Sequence, residues 1–199
     1  MPAIEKKCVS LHPTYQGEVL EWLKRHAWKA CSRQNRLAGS NPAASAMKLI
    51  FVCHGNICRS PMAEYIMKNL AERRDLDRGL EISSAAVSYE EEGNGLYPYA
   101  AQTLTRHEIP YGQHRAHRIS LEEYLEADLV IVMDSSNERL LSRITGGREP
   151  EKTHRLLEWT GENRDVADPW YTGNFEKAYS DILAGCTALM EHIAKPTDN

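Results

Sequence analysis

The chain has 199 residues, 42% of them hydrophobic and 26% charged, a balance that gives an ordinary globular core and excludes a disordered or fibrous protein. A net charge of −4 argues against general nucleic-acid binding, and no apolar run approaches the roughly 18 residues of a membrane span. Five cysteines, with no Cys-x-x-Cys pair and no export signal at the start, read as reduced thiols in a cytoplasmic protein.

Charge divides the chain. Residues 1–46 carry seven Lys or Arg against three Glu, whereas residues 47–199 carry 17 basic against 25 acidic side chains. The first segment has no strand-like run and ends in Gly39-Ser40-Asn41-Pro42, a loop composition, so a boundary is placed at Met47. Residues 1–46 are expected to be an extension, 47–195 the domain and 196–199 a tail. Two readings of the extension are open. Val19, Leu20, Trp22, Leu23, Ala27 and Trp28 could form an amphipathic arm. Alternatively, residues 17–24 and 26–31 resemble a conceptual translation of a serine tRNA gene. Gly39-Ser40-Asn41-Pro42 is what its T-arm spells, and translation would then start at Met47.

Past Met47, strand and helix signals alternate. Residues 48–53 form a short apolar run of the kind buried in parallel sheets. Ser60, Pro61 and Glu64 predict a helix opening at Ser60 as N-cap, with Met62, Ile66, Met67 and Leu70 on one face and an end between Asp75 and Gly79. A weaker strand is expected at 81–87, a helix at 97–107, a strong strand at 127–133, a helix at 136–144 and a short strand at 153–157. The last helix, 175–194, would turn Ala178, Ile182, Leu189 and Ile193 inward. This alternation implies a doubly wound α/β fold, a four-stranded parallel sheet with helices on both faces. The active site of such a fold lies beyond the C-terminal strand ends.

The first strand ends at Cys53-His54-Gly55-Asn56-Ile57-Cys58-Arg59-Ser60. A bare Cys-x5-Arg pair is a weak signal, but a strand before it, Gly55 and Asn56 within it and a helix after it make it specific. The loop amides and the helix N-terminus can converge into an anion cradle, and Arg59 adds a fork for two phosphate oxygens. A cysteine at the base of such a cradle is favoured as thiolate and attacks phosphorus. The leaving oxygen then needs an acid from elsewhere. Asp168-Pro169-Trp170-Tyr171 offers one, with Trp170 and Tyr171 as flat walls for an aromatic leaving group.

These two motifs, and residues 47–195 along nearly their whole length, resemble the low-molecular-weight protein tyrosine phosphatases. The resemblance implies hydrolysis of phosphotyrosine through a phosphocysteine, with no metal and no cofactor. It makes Cys53 the nucleophile, Arg59 the clamp and Asp168 the general acid, later the base. It makes His54, Gly55, Asn56, Ile57, Cys58 and Ser60 the phosphate loop, with Asn56 stiffening it and Ser60 bonding the thiolate. Ser84-Ala85-Ala86-x-Ser88, Gly93-Asn94 and Arg106-His107 resemble the segment that braces the loop, which points to Ser88, Asn94 and His107. Asp134 would be scaffold. Cys53 and Cys58 would pair under oxidation. The implied partners are phosphotyrosine proteins, a tyrosine kinase among them, with a monomeric chain.

Alternatives within the fold are discriminated by sequence. Arsenate reductases need resolving cysteines that are absent between Cys58 and Cys186, and protein-arginine phosphatases carry Thr where Ile57 stands. A non-catalytic phosphate-binding module would not need nucleophile, clamp and acid together. His114 and His117 read as a solvated basic stretch, and Glu90-Glu91-Glu92 as an exposed face.

Overall fold

The computed structural model describes residues 46–194. Both readings of the extension fall on residues 1–45, and the tail on 196–199, all outside the described residues. Within them the strands are β1 (Met47–Cys53), β2 (Leu80–Ala86), β3 (Leu129–Val132) and β4 (Thr153–Arg155), all parallel, in the order β2-β1-β3-β4. The helices are α1 (Arg59–Glu72), α2 (Pro98–Arg106), α3 (Leu121–Glu126), α4 (Ser135–Thr145), α5 (Pro169–Thr172) and α6 (Phe175–Ala194). Among the described residues no helix is long and apolar enough to cross a membrane.

The continuous apolar run of β1 has a structural reason: both faces of the strand are covered. Leu49 and Phe51 join the core under α1 and α6, while Ile50 and Val52 join a second core with Tyr124 of α3 and Leu141 of α4. Tight packing on both sides fixes the direction of β1 and so the position of its last residue, Cys53.

Element edges depart from the sequence reading for local reasons. α1 begins at Arg59 with Cys58 at the N-cap and no side-chain cap, because the Ser60 hydroxyl bonds the Cys53 sulfur rather than the helix backbone. β4 stops at Arg155, where Glu158 reaches back to the Arg155 amide and turns the chain into a 3-10 segment, Leu156–Thr160. α3 went unread although its capping box is present in the sequence: Ser120 accepts from the Glu123 amide, and Glu123 accepts from that of Ser120.

Candidate functional site

The loop that follows β1 is held by its own side chains. Asn56 has φ +57°, the left-handed region that Asn tolerates better than other non-glycine residues, and it is 0% exposed. Its amide nitrogen donates to the Ser60 and Ser84 hydroxyls at 2.9 Å each, and its side-chain oxygen accepts from the His117 amide. Both hydroxyls therefore accept from Asn56 and keep their own protons for other acceptors. Ser84 donates to Glu64 at 2.5 Å, and Ser60 donates to Cys53 Sγ at 3.1 Å. The Asn56 backbone amide also donates to Sγ, at 3.3 Å. Two donors thus face the cysteine sulfur.

The bracing residues differ in part from those the resemblance suggested. Ser84, not Ser88, meets Asn56; the Ser88 hydroxyl accepts from the Glu90 amide, and only its backbone touches the loop, at His54. His107 caps the end of α2 and faces α6, stacking on Tyr179 with ring centroids 3.8 Å apart and pairing with Glu176. The imidazole that reaches the loop belongs to His114, whose Nε2 lies 2.6 Å from the Asn56 carbonyl and must carry the proton there. His114 is therefore half-buried rather than fully solvated, while His117 stays partly exposed and pairs with Glu123. Nothing in the local sequence marks His114. It arrives because residues 116–119 run beside β2, bridging at Ala86 and Arg118. Asn94 holds the rim instead, donating to Glu91 at 2.7 Å.

Arg59 is 2% exposed at the first position of α1. Its Nη1 donates to Asp134 at 2.6 Å and to the Val166 carbonyl at 3.2 Å, and its Nη2 donates to Asp168. Among the described residues three of the five guanidinium donors are engaged, which leaves the Nε–H and one Nη2–H available as a fork for a ligand. Burial opposes the Arg59 charge, but Cys53, Asp168 and Asp134 outweigh it and hold its pKa above the ordinary value. Asp134 is also the N-cap of α4, accepting from the Asn137 amide at 2.6 Å. It therefore fixes the guanidinium from the frame of the fold. The other oxygen of Asp168 caps α5 through the Trp170 amide.

These groups converge on one small cleft of about 150 Å³, below the 300–1,000 Å³ range of small-molecule sites and suited to a side chain. Cys53, Ile57, Cys58, Arg59 and Asp168 line it with His54 and Gly55, and Trp170 and Tyr171 form one wall. Trp170 is braced edge-on against Tyr97, which stacks on Phe175. Tyr171 is 85% exposed. Residues 48–199 match the profile of the low molecular weight phosphotyrosine protein phosphatases. The chain belongs to that family. It is 34% identical over 151 residues to the protein-tyrosine-phosphatase YfkJ of Bacillus subtilis, covering 75% of this chain and 97% of that one. PtpA of Staphylococcus aureus is 33% identical, over 73% and 92% of the two chains. The crystal structure of YfkJ superposes with a TM-score of 0.74 over 77% and 98% of the chains. A Drosophila arginine phosphatase structure does so at 0.69 and 30% identity, over 76% and 100%.

The rim of this low-molecular-weight phosphatase is acidic: Glu90 and Glu91 line the cleft, while Glu90 and Glu92 are exposed as the sequence reading expects. Glu90 pairs with His54 at 2.8 Å, and Glu91 packs over Gly55 so closely that a Cβ there would come within 2.9 Å of its Cγ. A larger residue at position 55 would therefore force the Glu91 side chain to shift. Glu92 instead accepts from the Arg118 amide.

Proposed function

We propose that this chain hydrolyses the phosphate ester of protein phosphotyrosine through a phosphocysteine. The observation that carries the reading is the sulfur of Cys53, met by two hydrogen-bond donors at the closed end of a cleft that also holds Arg59 and Asp168. In the first step Sγ attacks phosphorus and the bond from phosphorus to the tyrosine oxygen breaks. Asp168 transfers its proton to that oxygen, so tyrosine leaves neutral. The backbone N–H groups of the loop from His54 to Cys58 surround the phosphoryl oxygens, and the free fork of Arg59 takes two of them as charge spreads in the transition state. In the second step a water attacks phosphorus and gives its proton to Asp168. The phosphorus–sulfur bond breaks, and the electron pair returns to a Cys53 thiolate that Ser60 steadies. Trp170 and Tyr171 flank the substrate ring, and Ile57 gives the cleft an apolar wall.

One observation favours protein-arginine phosphatase activity instead: Glu90 and Glu91 line the mouth of the cleft, where carboxylates would meet a phosphoguanidinium. Ile57 opposes this, offering that group no hydrogen bond. The substrates we propose are phosphotyrosine proteins, a tyrosine kinase among them, for a monomer in the cytoplasm. Turnover of p-nitrophenyl phosphate, phosphotyrosine, phosphoarginine and arsenate in parallel tests the reading. Phosphotyrosine should be hydrolysed well above phosphoarginine, and the reverse order would transfer the assignment.

A further inference from the structure

The segment that carries Asp168 has no regular structure between Gly161 and Pro169, and most of its residues are exposed. Such a segment moves unless it is tied down, yet a proton donor must sit within about 2.6–3.2 Å of the oxygen it serves. Several ties precede Asp168, among them Arg59 on the Val166 carbonyl and Arg155 on Asn163 and Asp165. The Val166 amide donates to the Met133 carbonyl at 2.9 Å. Asp165 accepts from the Ser135 amide and hydroxyl at the start of α4, at 3.1 Å each. The tie to α6 is Arg164, whose Nη1 and Nη2 donate at 2.9 Å to one oxygen each of Asp181.

Asp181 is the unexpected partner. It is 4% exposed and lies between the buried Tyr179 and Ile182 on a helix whose inner face is apolar. Burying a carboxylate is costly unless it is paired and hydrogen-bonded. Here the pairing comes from Lys177 on the same helix at 2.8 Å and, from outside the helix, the Arg164 fork. Together they hold the Asp181 carboxyl below its ordinary pKa against the effect of burial. A planar fork on both oxygens fixes direction as well as distance, which a lysine contact does not. The core helix thus grips the loop four residues ahead of Asp168, while Glu162 steadies the Arg164 side chain from its other edge.

We infer that Arg164 and Asp181 are positioning residues for the general acid: the buried carboxylate of α6 clasps the loop through Arg164 and sets where the Asp168 carboxyl stands relative to the leaving oxygen. This rests on the assignment of Asp168 as the acid. A misplaced acid slows the step that expels a basic phenolate and spares the step that expels an activated one. The readout is therefore the ratio of kcat/KM for phosphotyrosine to that for p-nitrophenyl phosphate, taken on one preparation so that any unfolded fraction cancels.

Arg164→Gln and Asp181→Asn should each lower that ratio by roughly tenfold, within the about 10²-fold that a 1 Å misplacement can cost. Arg164→Lys should lower it too, since charge alone does not restore the fork. Asp168→Asn serves as reference and should lower it furthest. A ratio that stays within about twofold of the parent in Arg164→Gln, with only the melting temperature reduced, would make the pair a structural tie and overturn the inference. Where Asp181→Asn does not fold, the Arg164 variants decide alone, because Lys177 still pairs Asp181 in them and Arg164→Lys also keeps the charge. If Asp168→Asn also leaves the ratio unchanged, the acid assignment falls and the clasp falls with it.

Discussion

Ser84 stands between two buried groups: it accepts from Asn56 and donates to Glu64, so one hydroxyl on β2 links the phosphate loop to α1. The line continues through Ser60 to the cysteine sulfur. Its outer end is Lys68, which pairs with Glu64. Ser84→Ala would leave an Asn56 proton without an acceptor and a Glu64 oxygen without a donor. Each such orphan costs about 1–3 kcal/mol. The variant should melt several degrees lower and turn over about tenfold more slowly as the loop loosens. Ser88→Ala, whose hydroxyl only meets the Glu90 amide, should stay close to the parent in both. Equal effects of the two substitutions would return the bracing role to Ser88.

Arg59 spends three donors on the protein and keeps a fork for substrate. Arg59→Lys retains charge but can reproduce neither the fork nor the simultaneous contacts to Asp134, Val166 and Asp168. Turnover should fall by about 10²–10³-fold, the scale seen when a transition-state donor is lost. Cys53→Ser should abolish it, while Asp134→Asn, which keeps the shape and weakens the hold on Arg59, should give an intermediate loss. Steady-state kinetics on phosphotyrosine orders the three, and an Asp134→Asn loss equal to that of Arg59→Lys would give Asp134 a more direct role.

The sheet was legible because β1 and β3 are buried on both faces and read as unbroken apolar runs. The loop that opens at Cys53 was legible because strand, Gly55 and helix surround it. The bracing residues were not, and the reason is physical. Asn56 selects its partners by proximity in space, and a serine four positions away or a histidine seven positions further on carries the same hydroxyl or imidazole. His114 reaches the loop only because the segment ending at Ser120 lies along β2. The Arg164–Asp181 tie spans 17 residues between a loop and a helix, and no periodicity marks either end. Side chains that serve a helix or strand leave a pattern; those that serve a tertiary contact leave none.

Cys58 lines the cleft beside Cys53, and burial, together with the neighbouring Cys53 charge, pushes its thiol well above the ordinary cysteine value. Peroxide should first convert Cys53 to the sulfenic acid. Attack by the Cys58 sulfur then forms the disulfide and expels hydroxide. Because Cys58 must ionise to attack, closure should be slow near neutrality and should quicken as the pH is raised. Inactivation of the parent should be reversed by dithiothreitol, and Cys58→Ala should lose activity largely irreversibly as the sulfenic acid oxidises further. Time courses of recoverable activity at several pH values check both points. Full recovery of Cys58→Ala would remove it as the resolving thiol.

His154 should make the fold sensitive to acid. It is 9% exposed on β4, its Nε2 has no hydrogen-bond partner among the described residues, and its ring meets Trp159 edge-on with centroids 5.5 Å apart. Burial lowers its pKa from the ordinary 6.5, with only a backbone contact at Glu151 acting the other way. Glu158 lies 3.9 Å from Nδ1, too far for a hydrogen bond that would hold the charged ring. Between the folded and unfolded pKa values only the unfolded chain binds the proton, so the slope of stability against pH is positive there. The contribution is whole above about pH 6.5. It is lost progressively as the pH falls towards the folded value. Urea midpoints at pH 7.5 and 5.5 should differ by less in His154→Phe, which keeps the ring packed against Trp159, than in the parent. An unchanged difference would place the acid sensitivity on another group.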